Sequence, residues 1–308
     1  MATATPGDAP ERAAGVAVAL AVAVVAISTA APAIRLTPPL RPEAVACLRV
    51  SVTTLALAVL TLPATARALR LLIASPREAK LTLLAGLCLA AHFEAWIASL
   101  WMTSVVRSVA LVTTQPLWAG LLARAVGDEA PRRIYLGALV AVAGTVIMAA
   151  EPGALAGGSW RGDLLALSGA LTAAVHLAIG RHVHARLGDA LPVEGYFVIM
   201  NLVAALALWA VVFARGVAVT PAQTGAGATA LLAILWLGLI PGVIGHGLLN
   251  WSVRRVPVHT VAMAVMLEPV GAAGIAWLAL GESVAPREGL GALVLLAGVG
   301  LGLPRRRP

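Results

Sequence analysis

Ten stretches of the chain are nearly unbroken runs of Ala, Leu, Val, Ile and Gly, with polar residues gathered in short gaps between them. The runs cover roughly 13–34, 44–64, 80–101, 105–126, 133–150, 163–181, 192–214, 228–250, 257–280 and 288–304. Each has the length of a membrane-spanning helix, about 17–25 residues for a hydrocarbon core of about 30 Å. Pro38-Pro39, Ser75-Pro76-Arg77 and Glu151-Pro152-Gly153 punctuate the gaps. Val16–Val25 alternates Val with Ala in a strand-like way. Its length, and the lack of ~10-residue spacing between turns, favour a helix over a barrel strand. The first run also competes as a secretory signal, because Ala31-Pro32-Ala33 resembles a cleavage site. Against that, Asp8 and Glu11 stand beside Arg12, and the apolar stretch exceeds the usual length of about 7–15 residues. We therefore read it as a spanning helix.

Composition agrees. Of 308 residues, 60% are hydrophobic and 12% charged, with a mean hydropathy of +0.93. A soluble chain carries about 25% charge, and disorder needs low hydrophobicity. Both classes are excluded, leaving an all-α integral membrane protein. The net charge of +8 would suggest nucleic acid in a soluble protein. Here the 22 basic residues are scattered in ones, twos and threes between apolar runs, so no nucleic-acid partner is expected. Cys47 and Cys88 lie inside apolar runs and read as small hydrophobes.

The basic residues set the orientation. With the N-terminus inside, the inner gaps hold Arg12, Arg67, Arg70, Arg77, Lys80, Arg124, Arg132, Arg133, Arg181, Arg186, Arg254, Arg255 and Arg305 to Arg307, fifteen in all. The outer gaps hold five: Arg35, Arg41, Arg161, Arg215 and Arg287. Both termini are expected on the cytoplasmic side of the plasma or inner membrane.

An internal repeat divides the chain. Leu136 to Gly144 and Leu290 to Gly298 are identical at seven of nine positions, offset by 154. Gly127-Asp128-Glu129 and Gly281-Glu282 lie upstream of them, and Gln115-Pro116 and Glu268-Pro269 further upstream at an offset of 153. Each unit has five spans, an odd number, so the second is inverted in the membrane. Inverted repeats with broken helices build secondary transporters, with substrate sites near the midplane.

At this level the chain resembles the EamA-type members of the drug/metabolite transporter superfamily. The resemblance rests on Ser99-Leu100-Trp101-Met102-Thr103-Ser104, Pro116 and Gly127-Asp128-Glu129 in the first half. In the second half it rests on Gly245-His246-Gly247-Leu248-Leu249-Asn250-Trp251, Leu267-Glu268-Pro269-Val270 and Gly281-Glu282. It covers nearly the whole chain as two five-helix units, 1–150 and 151–308. The resemblance implies a ten-helix transporter of small organic solutes, often an exporter of amino acids or other metabolites. Gly-Asp-Glu at 127–129 departs from the direct Gly-Glu usual in the family.

Four charges fall within spans: Arg49, Glu94, Arg107 and Glu268. Left unpaired they would together cost about 10–14 kcal/mol, so they must face one another or a wet cavity. A Glu94–Arg107 bridge across the turn near Thr103 is one solution. Arg49 and Arg107 lie toward outer helix ends, where an Arg can also snorkel. Glu268 lies about 16 Å into its span, near the midplane. There Pro269 removes a donor and frees the carbonyl of Val265. An acid beside freed carbonyls is a candidate cation, ammonium or proton site, with an interhelical hydrogen bond as the plain alternative.

Helical spacing sorts the remaining polar groups. His92, Trp96, Ser99 and Thr103 share a face, as do His246 and Asn250, and Ser168, Thr172 and His176 form another stripe. Asn201 and Glu194 nearly superimpose. Glu94 stands about 200° around from His92, so the two do not point into one cavity from a straight helix. The candidate substrate or coupling residues are Glu268, His246, Asn250, Glu94, His92, Trp96, Arg107, Arg49, His176 and Gln115. Trp96 and Trp251 are candidate aromatic walls. Apart from Arg133 and Glu288 at their first positions, spans five and ten hold no ionisable residue but Tyr135 and read as scaffold, with Gly137, Gly144, Gly291 and Gly298 for close packing.

No nucleotide-binding loop, metal cluster or catalytic triad is present, so neither ATP hydrolysis nor a cofactor is expected. The leading reading is alternating-access export of a small metabolite such as an amino acid, with protons as candidate coupling ions. Efflux of cationic drugs is the alternative, and an intramembrane acid–base enzyme ranks behind both. A homodimer is compatible with either transport reading.

Overall fold

The computed structural model describes residues 8–103, 105–150, 159–280 and 284–303. The turn at 151–153 and Gly281-Glu282 lie outside the described residues. The chain is helical with no strand among the described residues. In the first half the helices are α1 (Asp8–Ser28), α2 (Ala30–Ile34), α3 (Pro42–Leu60), α4 (Leu62–Ile73), α5 (Pro76–Met102), α6 (Val105–Val112), α7 (Gln115–Ala123) and α8 (Arg132–Ala149). The second half holds α9 (Trp160–Leu187), α10 (Val193–Ala214), α11 (Pro221–Thr224), α12 (Ala228–Leu237), a π-helix (Gly238–His246), α13 (Gly247–Val253), α14 (Val258–Val265), α15 (Glu268–Leu280) and α16 (Pro286–Gly302).

Among the described residues, seven helical stretches are long and apolar enough to cross a membrane: Ala14–Ile34, Pro42–Leu60, Pro76–Met102, Trp160–Ala190, Val193–Ala214, Ala228–Val253 and Val258–Ile275. The other three expected spans are helical but shorter or interrupted. Span four breaks at Thr113-Thr114 into α6 and α7, α8 opens on Arg132-Arg133, and α16 has 17 residues. Span nine breaks in the matching place, at Met266-Leu267.

These breaks correct the expected role of the prolines. Pro116 and Pro269 do not interrupt a running helix. Each occupies the first turn of a new helix, where a missing N–H leaves no bond unmade. The chain turns just before them, and Glu268 becomes the first residue of α15. Its backbone carbonyl accepts from Ser28 Oγ at 3.1 Å, tying α15 to α1.

A further element was not expected. α4 is a 12-residue amphipathic helix whose Ala68 and Leu72 are buried while Leu62, Leu69 and Ile73 are exposed. It packs on α10, where Gly195 leaves no room for a Cβ beside the backbone of Ala64.

The helices pack in recurring pairs: α8 with α16, α5 with α9, α3 with α10, and α7 with α14. α1 packs on the π-helix, α13 and α15, as α9 packs on α5, α6 and α7. The α8–α16 contact is backbone on backbone. A Cβ at Gly137 would stand 2.5 Å from the Gly298 carbonyl oxygen, and one at Gly144 2.7 Å from that of Gly291. With lipid as solvent, such small-residue contacts are what lets helices adhere through dispersion.

Candidate functional site

A buried cavity of about 60 Å³ lies where the broken and intact helices converge. It has room for a few water-sized groups. Seven of the ten residues singled out in the sequence line it: Arg49 from α3, His92 and Trp96 from α5, Gln115 from α7, His176 from α9, His246 from the π-helix and Glu268 from α15. Neither α8 nor α16 contributes a lining residue. Apolar walls come from Ile27, Val112, Leu177, Leu249, Val265 and Met266. Thr113 and Pro241 also reach it. They went unnoticed in the sequence because a threonine at a helix break and a proline inside a π-helix carry no pattern of their own.

Arg49 is 1% exposed and lies over the Phe93 ring, with its guanidinium carbon 4.3 Å from the centroid. It does not snorkel to the surface. A buried cation against an aromatic face gains from the ring quadrupole. Its Nη1 has no hydrogen-bond partner among the described residues. Glu268 faces the same cavity and feels its charge, yet no nitrogen–oxygen approach within 4.0 Å joins them.

The imidazoles are held from behind. His92 Nδ1 lies 2.9 Å from the Gly169 carbonyl and His176 Nδ1 3.3 Å from that of Thr172. A carbonyl only accepts, so each Nδ1 donates. In the neutral ring each Nε2 is then an acceptor. His176 Nε2 and Trp96 Nε1 have no partner among the described residues. The rings of His92 and Trp96 lie parallel with centroids 6.2 Å apart, and His176 stands 6.4 Å from His92. Two unused donors, on Arg49 and Trp96, and an unused imidazole acceptor on His176 thus belong to residues lining the cavity, as does the Glu268 carboxyl.

The other three candidates fall elsewhere. Asn250 is buried and donates to the His246 carbonyl at 2.9 Å, bracing the π-helix junction rather than lining the cavity. Glu94 opens onto a separate vestibule of about 820 Å³. It pairs with Arg215 at 3.1 Å, and the same Arg215 nitrogen reaches Glu43 at 3.2 Å; the expected Glu94–Arg107 bridge falls on a side chain outside the described residues. Arg215 caps the C-terminus of α10, 121 residues away, and no local spacing could have announced it. The Arg107 side chain lies outside the described residues.

Trp251 is also removed from the cavity. It stacks under Arg255, whose guanidinium carbon stands 3.5 Å from the ring centroid. Among the polar stripes, Ser168, Thr172 and Asn201 bond backbone carbonyls of their own helices. Ser99 bonds Ser108, and Thr103 bonds Asp163.

Residues 160–302 match the model of the EamA-like transporter family, which belongs to the drug/metabolite transporter superfamily. No protein of curated function matches the chain. A solved structure titled only "Crystal structure of protein" superposes with a TM-score of 0.70 at 16% identity. The superposition covers 94% of this chain and 97% of that one, a likeness of fold across both halves. The second half is thus similar to that transporter family, and the long apolar helices make the chain a multi-pass membrane protein.

Proposed function

We propose that the protein is a secondary transporter exporting a small zwitterionic metabolite, of the size and charge of an amino acid, by alternating access. In this reading ten helices form two inverted five-helix units, residues 1–150 and 151–308, in the plasma or inner membrane with both termini cytoplasmic. The matched breaks before Pro116 and Pro269 support the two units. So does a packing pattern in which α1 serves the second half as α9 serves the first.

One observation carries the substrate class: Arg49 and Glu268 line one buried cavity without touching. A buried charge without a partner is strongly destabilising. A solute bearing a carboxylate and an ammonium supplies both partners at once, with Trp96 and Gln115 as further polar contacts. A simple cation would satisfy Glu268 and leave Arg49 worse placed. A cavity of about 60 Å³ also suits a solute of few heavy atoms better than a polycyclic dye.

The test is ligand-induced stabilisation of the purified protein, followed by counterflow in proteoliposomes. Small zwitterions should raise the unfolding temperature in proportion to their occupancy and exchange across the membrane. Stabilisation and exchange with cationic dyes but with no zwitterion would replace this reading with cationic efflux.

A further inference from the structure

The acidic turn after α7 holds a group that the central cavity does not use. Asp128 is 7% exposed, and both its oxygens are occupied. Oδ1 accepts from Arg181 Nη2 at 3.0 Å and Nε at 3.3 Å, and Oδ2 accepts from the Val258 backbone N–H at 3.1 Å. Arg181 Nη1 donates in turn to the carbonyls of Val253 and Arg254, at 3.3 and 3.1 Å. One carboxylate and one guanidinium therefore tie together the end of α7, the last quarter of α9, the end of α13 and the start of α14.

Those same four helices reach the cavity at their other ends or a turn away. α7 begins at Gln115 in the cavity and runs eight residues, about 12 Å, to its end beside Asp128. α14 begins at Val258 beside Asp128 and runs about 10 Å to Val265 in the cavity. On α9, Arg181 lies five residues past His176, and on α13, Val253 lies four past Leu249. The space between is filled by a buried apolar cluster that includes Ala119, Leu177, Ala178, Leu249, Val258 and Ala262.

We infer that Asp128 and Arg181 form a latch, with this apolar plug beneath it, that closes the cavity on the face bearing Arg124, Arg132 and Arg254. The inference rests on the transport reading for its purpose. Its geometry goes further, naming two gating residues and the side they close. A charge-assisted pair, with two guanidinium nitrogens on one carboxylate oxygen, suits this work. It is strong when dry and oriented, and it weakens once separation lets water in. Both helices that break at the cavity, through α7 and α14, have their far ends fixed by it. Opening this face requires the latch to part, so its strength sets how often the cavity is exposed there.

The test reads access without any solute. In the full chain with Cys47→Ala and Cys88→Ala, a reporter cysteine at Val261, which is fully buried in the plug, is labelled by a membrane-impermeant maleimide applied to each face of sealed vesicles. Asp128→Asn and Arg181→Gln should each raise labelling from the latch face by about tenfold, equivalent to about 1.4 kcal/mol. Arg181→Lys, which keeps the charge but not the fork, should fall between. Labelling of folded Asp128→Asn or Arg181→Lys at the parent rate would overturn the latch. Loss of folding in all three variants would do so as well, making the pair a structural support. Labelling that rises in a protein that exchanges no solute leaves the latch standing and removes the transport reading. Intact exchange with unchanged labelling does the reverse.

Discussion

Substituting Gly144 by Ala adds one methyl where α8 meets α16. The new Cβ would stand 2.7 Å from the Gly291 carbonyl oxygen and 2.7 Å from the Leu295 Cα, with the Leu295 nitrogen closer still. Ordinary contact begins near 3.4 Å, so the shortfall is at least about 0.7 Å. All three obstacles are backbone, and no rotamer change can clear them. The helices must separate instead, and a gap of about 0.5–1 Å forfeits a quarter to a half of the dispersion energy across it. The buried contacts of Ala138, Ala141, Met148, Leu295 and Val299 lie along this seam. Overpacking of this kind costs about 1–3 kcal/mol. Thermal unfolding in detergent should show the loss, with Gly300→Ala as control because its methyl would enter open space. That control should change stability by less than about 1 kcal/mol, with any gain coming from helix propensity. Neither α8 nor α16 lines the cavity, so the ratio of rates for two solutes should not change. Unaltered stability in Gly144→Ala, or altered selectivity with stability intact, would refute the scaffold assignment.

Glu268→Gln keeps the shape and most hydrogen bonding of the side chain but removes titration. It should preserve expression and unfolding temperature while abolishing the proton- or cation-dependent part of transport, and a wild-type rate and pH profile would make Glu268 structural. Arg49→Met should weaken a zwitterion by roughly tenfold to hundredfold, the worth of a hydrogen bond to a charged group, and leave a simple amine little changed. Equal losses for both solutes would remove Arg49 from carboxylate recognition. Reporter fusions after Arg70, Arg133, Arg186 and Arg255 should all read cytoplasmic, and one external reading would break the ten-span parity.

What the sequence made legible follows from the range of the forces involved. The apolar runs are legible because bilayer thickness fixes their length, and the helices lie within a few residues of the expected bounds. The divergence of His92 and Glu94 is legible because two residues on a helix turn by about 200°. The structure sends one to the cavity and the other to the vestibule. The break sites were legible only as neighbourhoods. Proline marks them, but it is as content in a first turn as it is disruptive in a middle, and sequence alone does not choose. α4 escaped notice because its Arg67 and Arg70 interrupt a run already too short to span. The partners of Glu94 and Asp128 were invisible, since Arg215 and Arg181 come from helices far along the chain. Asp128 itself read as an ordinary polar turn until burial showed otherwise.

The two halves break at matching places before Pro116 and Pro269 but carry different side chains there, and that difference matters more than the likeness. Gln115 and Glu268 open α7 and α15 at matching places, and both line the cavity. A glutamine offers a donor and an acceptor at every pH, whereas a glutamic acid offers a donor only when protonated. Matched backbones give two helices that can each swing about a break, and the unmatched side chains make one of them sensitive to what occupies the cavity. The same asymmetry appears at the far ends, where Asp128 belongs to the first half while the groups it holds, Arg181 and the Val258 amide, belong to the second. In the proposed alternating-access reading, motion of either half against the other would strain one ionic contact at the latch and change one carboxyl's surroundings in the cavity. In the proposed two-unit transport reading, a symmetric frame with two asymmetric charges is the least machinery that would link access on one face to the state of a bound solute.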